Sequence, residues 1–154
     1  MQQFDATISW QRDGQPFTDN RYSRAHAWLF DGGARVAASS SPLSVPLPMS
    51  DPAAVDPEEA LVAAVSSCHM LFFLSIARLR GLVVDSYRDA ASGTLSYNSA
   101  GKLAMTAFAL RPAVVFAGEL QPGADTISAI HHAAHDRCYI ANSITAVVSI
   151  EGMD

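Results

Sequence analysis

Apolar residues dominate one central stretch of the chain and alternate with polar residues on both sides of it. Between Asp56 and Gly81 the sequence is apolar almost without interruption. Asp56 suits an N-cap, Pro57 suits the first helical position, and Gly81 suits a left-handed stop. Glu58 near the start and Arg78 near the end complement the helix dipole. The pattern predicts one long helix that other elements must cover on nearly every side.

The flanking segments predict strands and a second helix, because apolar residues recur there with a period of two or of about four. We expect a small antiparallel sheet before the long helix, and two long antiparallel strands, a capped helix and a closing strand after it. This order is typical of an α+β fold with an antiparallel sheet wrapped around a long buried central helix. The predicted segments are Phe4–Trp10, Arg24–Phe30 and Ala34–Ser39, then Val83–Arg88 leading to Gly93–Tyr97, Leu103–Leu110 extended through Val114–Phe116, a helix capped by Asp125 or Thr126 and ending near Arg137, and Ile144–Ile150.

Composition narrows the class of protein. A chain of 154 residues suits a single domain, and we predict one domain over 1–154. The formal net charge is -5 and the basic residues form no tract, so nucleic acid is not an expected partner. Two cysteines are too few for a disulfide-rich secreted scaffold, and the N-terminal residues lack signal-peptide features. We therefore expect a cytoplasmic protein.

The apolar run from Ala60 to Ile76 also raises the possibility of a membrane span, for which about 18 apolar residues are needed. Ser66, His69 and Ser75 interrupt the run, and strand-like segments flank it, so a buried core helix and no membrane partner are expected. One small sheet and one short helix cannot cover such a helix on every side. We therefore predict a symmetric homodimer that covers it.

Cys68 lies at the middle of the long helix. A thiol reacts as its thiolate, and burial alone raises the thiol pKa and makes a cysteine inert. Cys68 would become a nucleophile if a cation reached it, and Arg21 and Arg24 in the loop before the second strand are candidates. Taken by its position alone, Cys68 is more typical of a structural cysteine. The second cysteine, Cys138, changes this balance, because the two could form a peroxidatic and resolving pair.

Two motifs resemble the OsmC/Ohr family of thiol-dependent organic hydroperoxide reductases. The first is Asp56-Pro57-Glu58-Glu59 followed by a small-residue run that ends in Ser66-Ser67-Cys68. The second is Cys138-Tyr139-Ile140-Ala141-Asn142-Ser143, and the order of elements agrees over essentially the whole chain. His69 and Tyr139 stand where better known members have an aromatic residue and a proline. The resemblance implies an OsmC-like fold in an intertwined homodimer with active sites at its interface.

The resemblance also implies the chemistry. Cys68 would attack an organic hydroperoxide, Cys138 would resolve the sulfenic acid to a disulfide, and a dithiol would reduce it, with no metal or organic cofactor. Glu58 would orient the catalytic arginine, for which Arg24 is preferred to Arg21. Ten helical residues separate Glu58 from Cys68 by about 15 Å. Either the helix is broken between them, or the glutamate and arginine come from the partner subunit. Apolar neighbours, namely Met70, Leu71, Phe72 and Phe73, would favour bulky organic peroxides over hydrogen peroxide.

Two other functions compete with this one. His131, His135 and Cys138 are three or four residues apart, a spacing that suits metal ligands on one helix face, although His131 is more typical of a packed histidine. A non-catalytic module is the second alternative, in which Cys68 is structural and an apolar cavity holds a lipid or small molecule. Carboxylates such as Asp85 and Asp89 are expected to be ordinary solvated charges.

Overall fold

The structure is a computed structural model and describes residues 1–153. Its contacts divide the chain into two units, one of residues 1–60 and one that begins at Leu61. The single domain predicted over 1–154 stays a prediction. The elements are β1 (Ala6–Ser9), β2 (His26–Phe30), β3 (Arg35–Ala38), α1 (Pro57–Leu79), β4 (Val83–Asp89), β5 (Ser92–Tyr97), β6 (Leu103–Leu110), β7 (Pro112–Ala117), α2 (Ala124–Arg137), a 3-10 turn (Ala141–Ser143) and β8 (Val147–Ile150).

Helix α1 begins and ends where the sequence predicts. The Asp56 carboxylate accepts a bond from the Glu59 backbone N–H at 2.8 Å, and the Glu59 carboxylate accepts one from Asp56 N–H at 3.3 Å, which is a capping box. At the other end Gly81 has φ of 75°, and Leu82 N–H bonds the Ala77 carbonyl at 3.0 Å. This Schellman arrangement satisfies the last carbonyls. The helix is continuous over its 23 residues.

The N-terminal unit is an antiparallel sheet in the order β1-β2-β3. The hairpin predicted at Asp31–Gly33 is present, with Gly33 at φ of 86°. Strand β2 begins two residues later than predicted, at His26, and the Arg24 side chain bonds Asn20 in the preceding loop. Trp10, Phe17 and Tyr22 form an aromatic cluster beside this sheet.

The C-terminal unit contains two further sheets and most of α1. Strands β4 and β7 pair antiparallel, whereas the order β5-β6-β8 has an antiparallel pair and a parallel pair, β6 with β8. The expected extension of β6 through Val114–Phe116 is wrong in detail, since β7 is a separate strand that pairs with β4. Asp89 and Ser92 likewise lie in different sheets, so the predicted long strand is divided.

Two apolar clusters pack these sheets against α1. In one, Phe73, Ile76 and Ala77 of α1 contact Ile130 and Ala134 of α2, with β4 and β7 beside them. In the other, Val65 contacts residues of β6 and β8. Gly93 lies beside this second cluster, where a Cβ would be 2.4 Å from Met105 Cε and 2.8 Å from Val62 Cγ2. The architecture is therefore α+β, as predicted.

One face of α1 is not covered within the chain. Ala63, Ser67, Leu71, Ser75 and Leu79 are exposed at intervals of four residues, and Leu71 and Leu79 are 63% and 65% exposed. Within residues 1–153, α1 is the one helix long and apolar enough to cross a membrane. Core helices of soluble proteins have the same length and composition, so this property does not separate the two classes.

Helix α2 matches its predicted end at Arg137 but not its predicted cap. Gly123 is the N-cap, and it provides no side-chain bond to the first turn. Asp125 lies inside the first turn, where its charge still complements the helix dipole. Cys138 is the C-cap, so the chain leaves the helix at the second cysteine. The closing strand is shorter than predicted and begins at Val147.

Candidate active site

The two thiols meet between α1 and the end of α2. Both cysteines are reduced, and Cys138 is buried whereas Cys68 is half-buried. The Cys138 thiol makes a side-chain hydrogen bond with Cys68. The presence of two cysteines and the resemblance both suggest that Cys68 and Cys138 act together, and the fold brings them into contact across 70 residues of sequence.

An apolar cavity of about 440 Å³ opens over Cys68. We call it the thiol cavity. Its polar lining groups are the hydroxyls of Ser67 and Ser75 and the thiol of Cys68, and the remaining lining is apolar: Ala64, Leu71, Phe72, Tyr139 and Ile140. The prediction that Leu71 and Phe72 surround the thiol agrees with this lining. Phe73 is instead fully buried in the first apolar cluster, and Met70 does not line the cavity.

Tyr139 forms the outer wall of the thiol cavity. Its ring meets Phe72 edge to face, with centroids 5.0 Å apart and an interplanar angle of 89°. The Tyr139 side chain is 73% exposed, and its carbonyl accepts a bond from the Ser143 hydroxyl at 2.7 Å. Tyr139, which follows Cys138 in the sequence, therefore lines the same cavity as Cys68.

Cys138 is held as a protonated thiol. Burial raises the pKa of Cys138, and the hydrogen bond to Cys68 raises this pKa further. The Ala141 backbone N–H donates to Cys138 Sγ at 3.4 Å and opposes the shift in part. The buried thiol thus keeps its proton, while Cys68 is the sulfur that lines the open cavity.

Two buried histidines, one of which follows Cys68 in the sequence, link α1 to α2 by a hydrogen bond. His69 Nε2 of α1 lies 3.0 Å from His131 Nδ1 of α2, and the rings are parallel within 9° with centroids 5.3 Å apart. Each side chain is 1% exposed. Burial, and then the neighbouring His131, lowers the pKa of His69 to about 4, and burial lowers the pKa of His131 to about 4. No local pattern predicts this bond, since the two residues are 62 positions apart in the sequence.

Asp89 is half-buried and hydrogen-bonded, and it is not the ordinary solvated charge that the sequence predicts. Its carboxylate accepts a bond from the Ser66 hydroxyl at 2.5 Å and one from the Arg111 backbone N–H at 2.6 Å. These bonds tie the end of β4 to α1, two residues before Cys68. The charge of Asp89 also opposes the lowering of both histidine pKa values.

The predicted arginine and glutamate lie in the N-terminal unit. The Arg24 guanidinium donates to the carbonyls of Asn20 and Tyr22 and to Asn20 Oδ1, and it stacks 3.7 Å from the centre of the Tyr22 ring. Arg24 also lines a cavity of about 420 Å³ together with Trp10, Phe17 and Tyr22. Arg21 is exposed. Within residues 1–153 no ion pair joins Arg24 to Glu58, which is half-buried in the first turn of α1.

The geometry does not favour the metal alternative. His131 points into the core toward His69, whereas His135 is half-buried and Cys138 bonds Cys68. No group of three or more histidine, cysteine, aspartate or glutamate side chains within the described 153 residues has an arrangement that could hold a metal ion. Although their helical spacing suits metal ligands, His131, His135 and Cys138 have different surroundings and do not form one site.

These features define a class of protein, an α+β protein with two reduced thiols in contact beside an apolar cavity. Comparison with known families is more specific. Residues 50–151 match the model of the family described as OsmC-like protein, which is more than half of the chain. The chain therefore belongs to the OsmC-like family, as the sequence motifs predicted.

Solved structures agree with this assignment. An OsmC-like protein of unknown function from Vibrio cholerae is 52% identical, with a TM-score of 0.96 over 98% of this chain and 99% of that one. An organic hydroperoxide resistance protein OsmC from Legionella pneumophila has a TM-score of 0.70 at 13% identity, covering 97% and 96%. The organic hydroperoxide resistance protein OhrB of Bacillus subtilis has a TM-score of 0.64 at 13% identity, also covering 97% and 96%. At that identity the likeness concerns the fold. No curated protein sequence matches the chain at a significant level.

Proposed function

We propose that the protein is a cysteine-based peroxidase that reduces organic hydroperoxides in the cytoplasm. The observation that carries this proposal is the contact between a half-buried thiol, which lines an apolar cavity, and a second, buried thiol. A single structural cysteine would need neither the partner thiol nor the cavity. Solved relatives described as organic hydroperoxide resistance proteins share the fold and add support.

The reaction begins with the Cys68 thiolate. Its sulfur attacks the outer peroxide oxygen of ROOH, the O–O bond breaks, and the alkoxide takes a proton and leaves as ROH, so that Cys68 becomes a sulfenic acid. Cys138 then attacks the sulfenic sulfur, its proton and the hydroxyl leave as water, and a disulfide forms. A dithiol reduces this disulfide by thiol–disulfide exchange. The sulfurs already in contact make the second step short in distance.

The thiol cavity supports organic substrates over hydrogen peroxide. Leu71, Phe72 and Ile140 offer an apolar substituent a contact surface that hydrogen peroxide cannot use. Ser67 and Ser75 provide hydroxyls at the lining for the polar end of the substrate. We expect kcat/KM to be higher for cumene hydroperoxide than for hydrogen peroxide. Faster turnover of hydrogen peroxide would contradict the assignment of this cavity to the substrate.

A cation is still needed to stabilise the thiolate and the developing alkoxide. We assign this role to Arg24, oriented by Glu58. Three of the five guanidinium N–H groups bond the loop of Arg24 itself, which fixes the group and leaves two for a substrate or thiolate. Because α1 is continuous, Glu58 and Cys68 of one chain are about 15 Å apart along the helix axis. We therefore propose that Arg24 of the partner subunit acts on Cys68 in a homodimer that covers the exposed face of α1.

Mixing two inactive variants tests this arrangement. Homodimers of Cys68→Ser and of Arg24→Met should both be inactive. If the arginine acts across the interface, a mixed dimer has one site with both residues intact, and random pairing restores about a quarter of wild-type activity. If the arginine acts within its own chain, mixing restores nothing. Light scattering after size exclusion measures the oligomeric state in the same samples.

The thiol chemistry is tested by stopped-flow oxidation with cumene hydroperoxide. Cys68→Ser should consume no peroxide. Cys138→Ser should consume one equivalent and accumulate sulfenic acid, detected by dimedone labelling and mass spectrometry. The cavity alone would also suit a non-catalytic lipid-binding module. In that case the wild type leaves cumene hydroperoxide unconsumed while Cys68 stays unreactive toward thiol reagents, and the peroxidase proposal is wrong.

A further inference from the structure

Helices α1 and α2 are joined by two pairs of side chains, and each helix contributes one cysteine and one histidine. Cys68 and His69 are neighbours on α1, while His131 lies two turns before Cys138 on α2. The thiols contact each other, and the imidazoles share a hydrogen bond of 3.0 Å. The proposed reaction uses the cysteines and leaves the histidines without a role.

The remaining contacts between these helices do not fix their alignment. Phe73, Ile76 and Ala77 pack against Ile130 and Ala134, and apolar contacts of this kind are not directional. Another polar link is a 3.4 Å bond from Arg80 to the Thr126 carbonyl, which is exposed and lies near the end of α1 and the start of α2, away from both cysteines. The imidazole bond is thus the directional contact nearest to the thiols.

Packing around His131 makes that bond more restrictive. The His131 ring contacts Phe73 at 4.5 Å between centroids, and it contacts His69 one turn earlier on α1. The ring is therefore held between two side chains that are four residues apart on one helix face. Burying two imidazoles in an apolar interior costs free energy, and within residues 1–153 the buried His69 Nδ1 has no hydrogen-bond partner. The bond between His69 Nε2 and His131 Nδ1 partly offsets this cost only in the alignment that keeps the two rings together.

We propose that the His69–His131 hydrogen bond is a positioning device that holds Cys138 opposite Cys68 and accelerates disulfide closure. This inference rests on the proposed function. A disulfide forms when the two Cα atoms lie about 4.4–6.8 Å apart. Displacement of α2 along α1 by one residue is about 1.5 Å, a large part of that range. The bond prevents such displacement at a point one residue from Cys68.

Positioning matters because the Cys68 sulfenic acid has two possible fates. It can condense with Cys138, releasing water and forming the disulfide. It can instead meet a second hydroperoxide, which transfers one more oxygen, leaves as an alcohol and gives the irreversible sulfinic acid. Slower closure therefore increases over-oxidation at a given peroxide concentration. The histidine pair would protect Cys68 without touching the substrate.

His131→Phe removes the hydrogen bond and keeps an aromatic ring at the position. Its rate of disulfide closure should fall roughly tenfold, while the rate of peroxide attack on Cys68 stays within about twofold, since tenfold is the effect of about 1.4 kcal/mol. Sulfinic acid, measured by mass spectrometry, should appear at a lower cumene hydroperoxide dose. His132→Phe is the matched control on an exposed position of the same helix and should behave as the wild type.

Two more variants separate positioning from general stability. His131→Asn places an amide where Nδ1 lies and should restore most of the closure rate. His69→Met removes the same bond from the other helix, with a flexible apolar side chain, and should slow closure as His131→Phe does. Equal loss of peroxide attack and disulfide closure in His131→Phe and His69→Met, or closure at the wild-type rate in these two variants, would overturn the proposal.

A redox titration with glutathione gives a readout that needs no peroxide. The reduced protein and GSSG exchange to the Cys68–Cys138 disulfide and two GSH, so the equilibrium constant reports how well the thiols are placed. A tenfold lower constant in His131→Phe corresponds to a reduction potential about 30 mV less negative. If the wild type consumes no organic hydroperoxide, the proposed function fails, and this titration still decides whether the histidine pair positions the thiols. An unchanged potential in His131→Phe contradicts the inference alone.

Discussion

Acid should unfold this protein through its buried histidine pair. The folded chain holds the pKa of His69 and His131 near 4, below the ordinary value of 6.5, mainly because both rings are buried. In the unfolded chain the same groups titrate with ordinary pKa values. Between about pH 6.5 and pH 4 the unfolded state therefore binds more protons than the folded state. The stability that depends on the neutral pair is therefore complete above about pH 6.5 and is lost as the pH falls toward 4.

The size of this effect follows from the shift. One pKa unit is worth about 1.4 kcal/mol, so relative to neutral pH one histidine with a pKa of about 4 lowers the free energy of unfolding by about 2 kcal/mol at pH 5 and by about 3 kcal/mol at pH 4. The second histidine is coupled to the first and adds less than the same amount again. Because each ring is only 1% exposed, solvent does not screen the effect. A loss of 2 kcal/mol is a large part of a typical stability of about 5–15 kcal/mol.

Urea denaturation followed by circular dichroism at pH 7.5, 6, 5 and 4.5, at constant ionic strength, measures the loss. The matched control is the double variant His69→Gln, His131→Asn, in which amides replace Nε2 and Nδ1 and can keep a hydrogen bond without titrating. The wild type should lose about 2 kcal/mol more than the control between pH 7.5 and pH 5. If the free energy of unfolding depends on pH equally in the wild type and the double variant, the histidine pair does not cause the loss of stability in acid.

Three further predictions concern other parts of the C-terminal unit. Gly93→Ala should reduce the free energy of unfolding by about 1–3 kcal/mol in thermal or urea denaturation, because its Cβ would overlap Met105 and Val62; Gly32→Ala, with open space, is the control. Gly123→Ser should raise the free energy of unfolding by about 0.2–0.5 kcal/mol, because the serine hydroxyl can cap α2, and an unchanged or lower melting temperature would contradict this role. Disulfide closure should accelerate about tenfold per pH unit between pH 6.5 and 8, since the raised pKa of Cys138 keeps its thiolate scarce there, and a rate independent of pH would contradict that cause.

Local signals predicted the parts of the fold that depend on neighbouring residues. The bounds of α1 follow from Asp56, Pro57 and Gly81, each of which acts within one turn of its own position. The hairpin at Asp31–Gly33 is equally local. The predicted cap of α2 is wrong. Asp125 has the right chemistry for a cap, but it is the second residue of the helix, and Gly123 is the N-cap.

Local sequence signals do not predict contacts between residues that are far apart in the sequence. The pairing of β7 with β4 and the bond between His69 and His131 depend on tertiary packing, which periodicity does not encode. The pairing of Cys68 with Cys138 follows from the cysteine content of the chain and from resemblance to a family, and their spacing in the sequence carries no information about it. Asp89 illustrates the same limit, since a carboxylate in a strand gives no sign that Ser66 and Arg111 will bond it.

The parallel pairing of β8 with β6 has a consequence for protein synthesis. Ala107 pairs with Val147, about forty residues later, and Ile150 completes the cluster around Val65. A ribosome makes α1 and four strands of this unit before the residues that close its core exist. The part of α1 around Val65 then lacks the cover that β8 provides, and a nascent chain arrested before residue 147 should bind chaperones that a chain extended past residue 150 does not. The cluster around Val65 therefore closes only once residues 147–150 have been made.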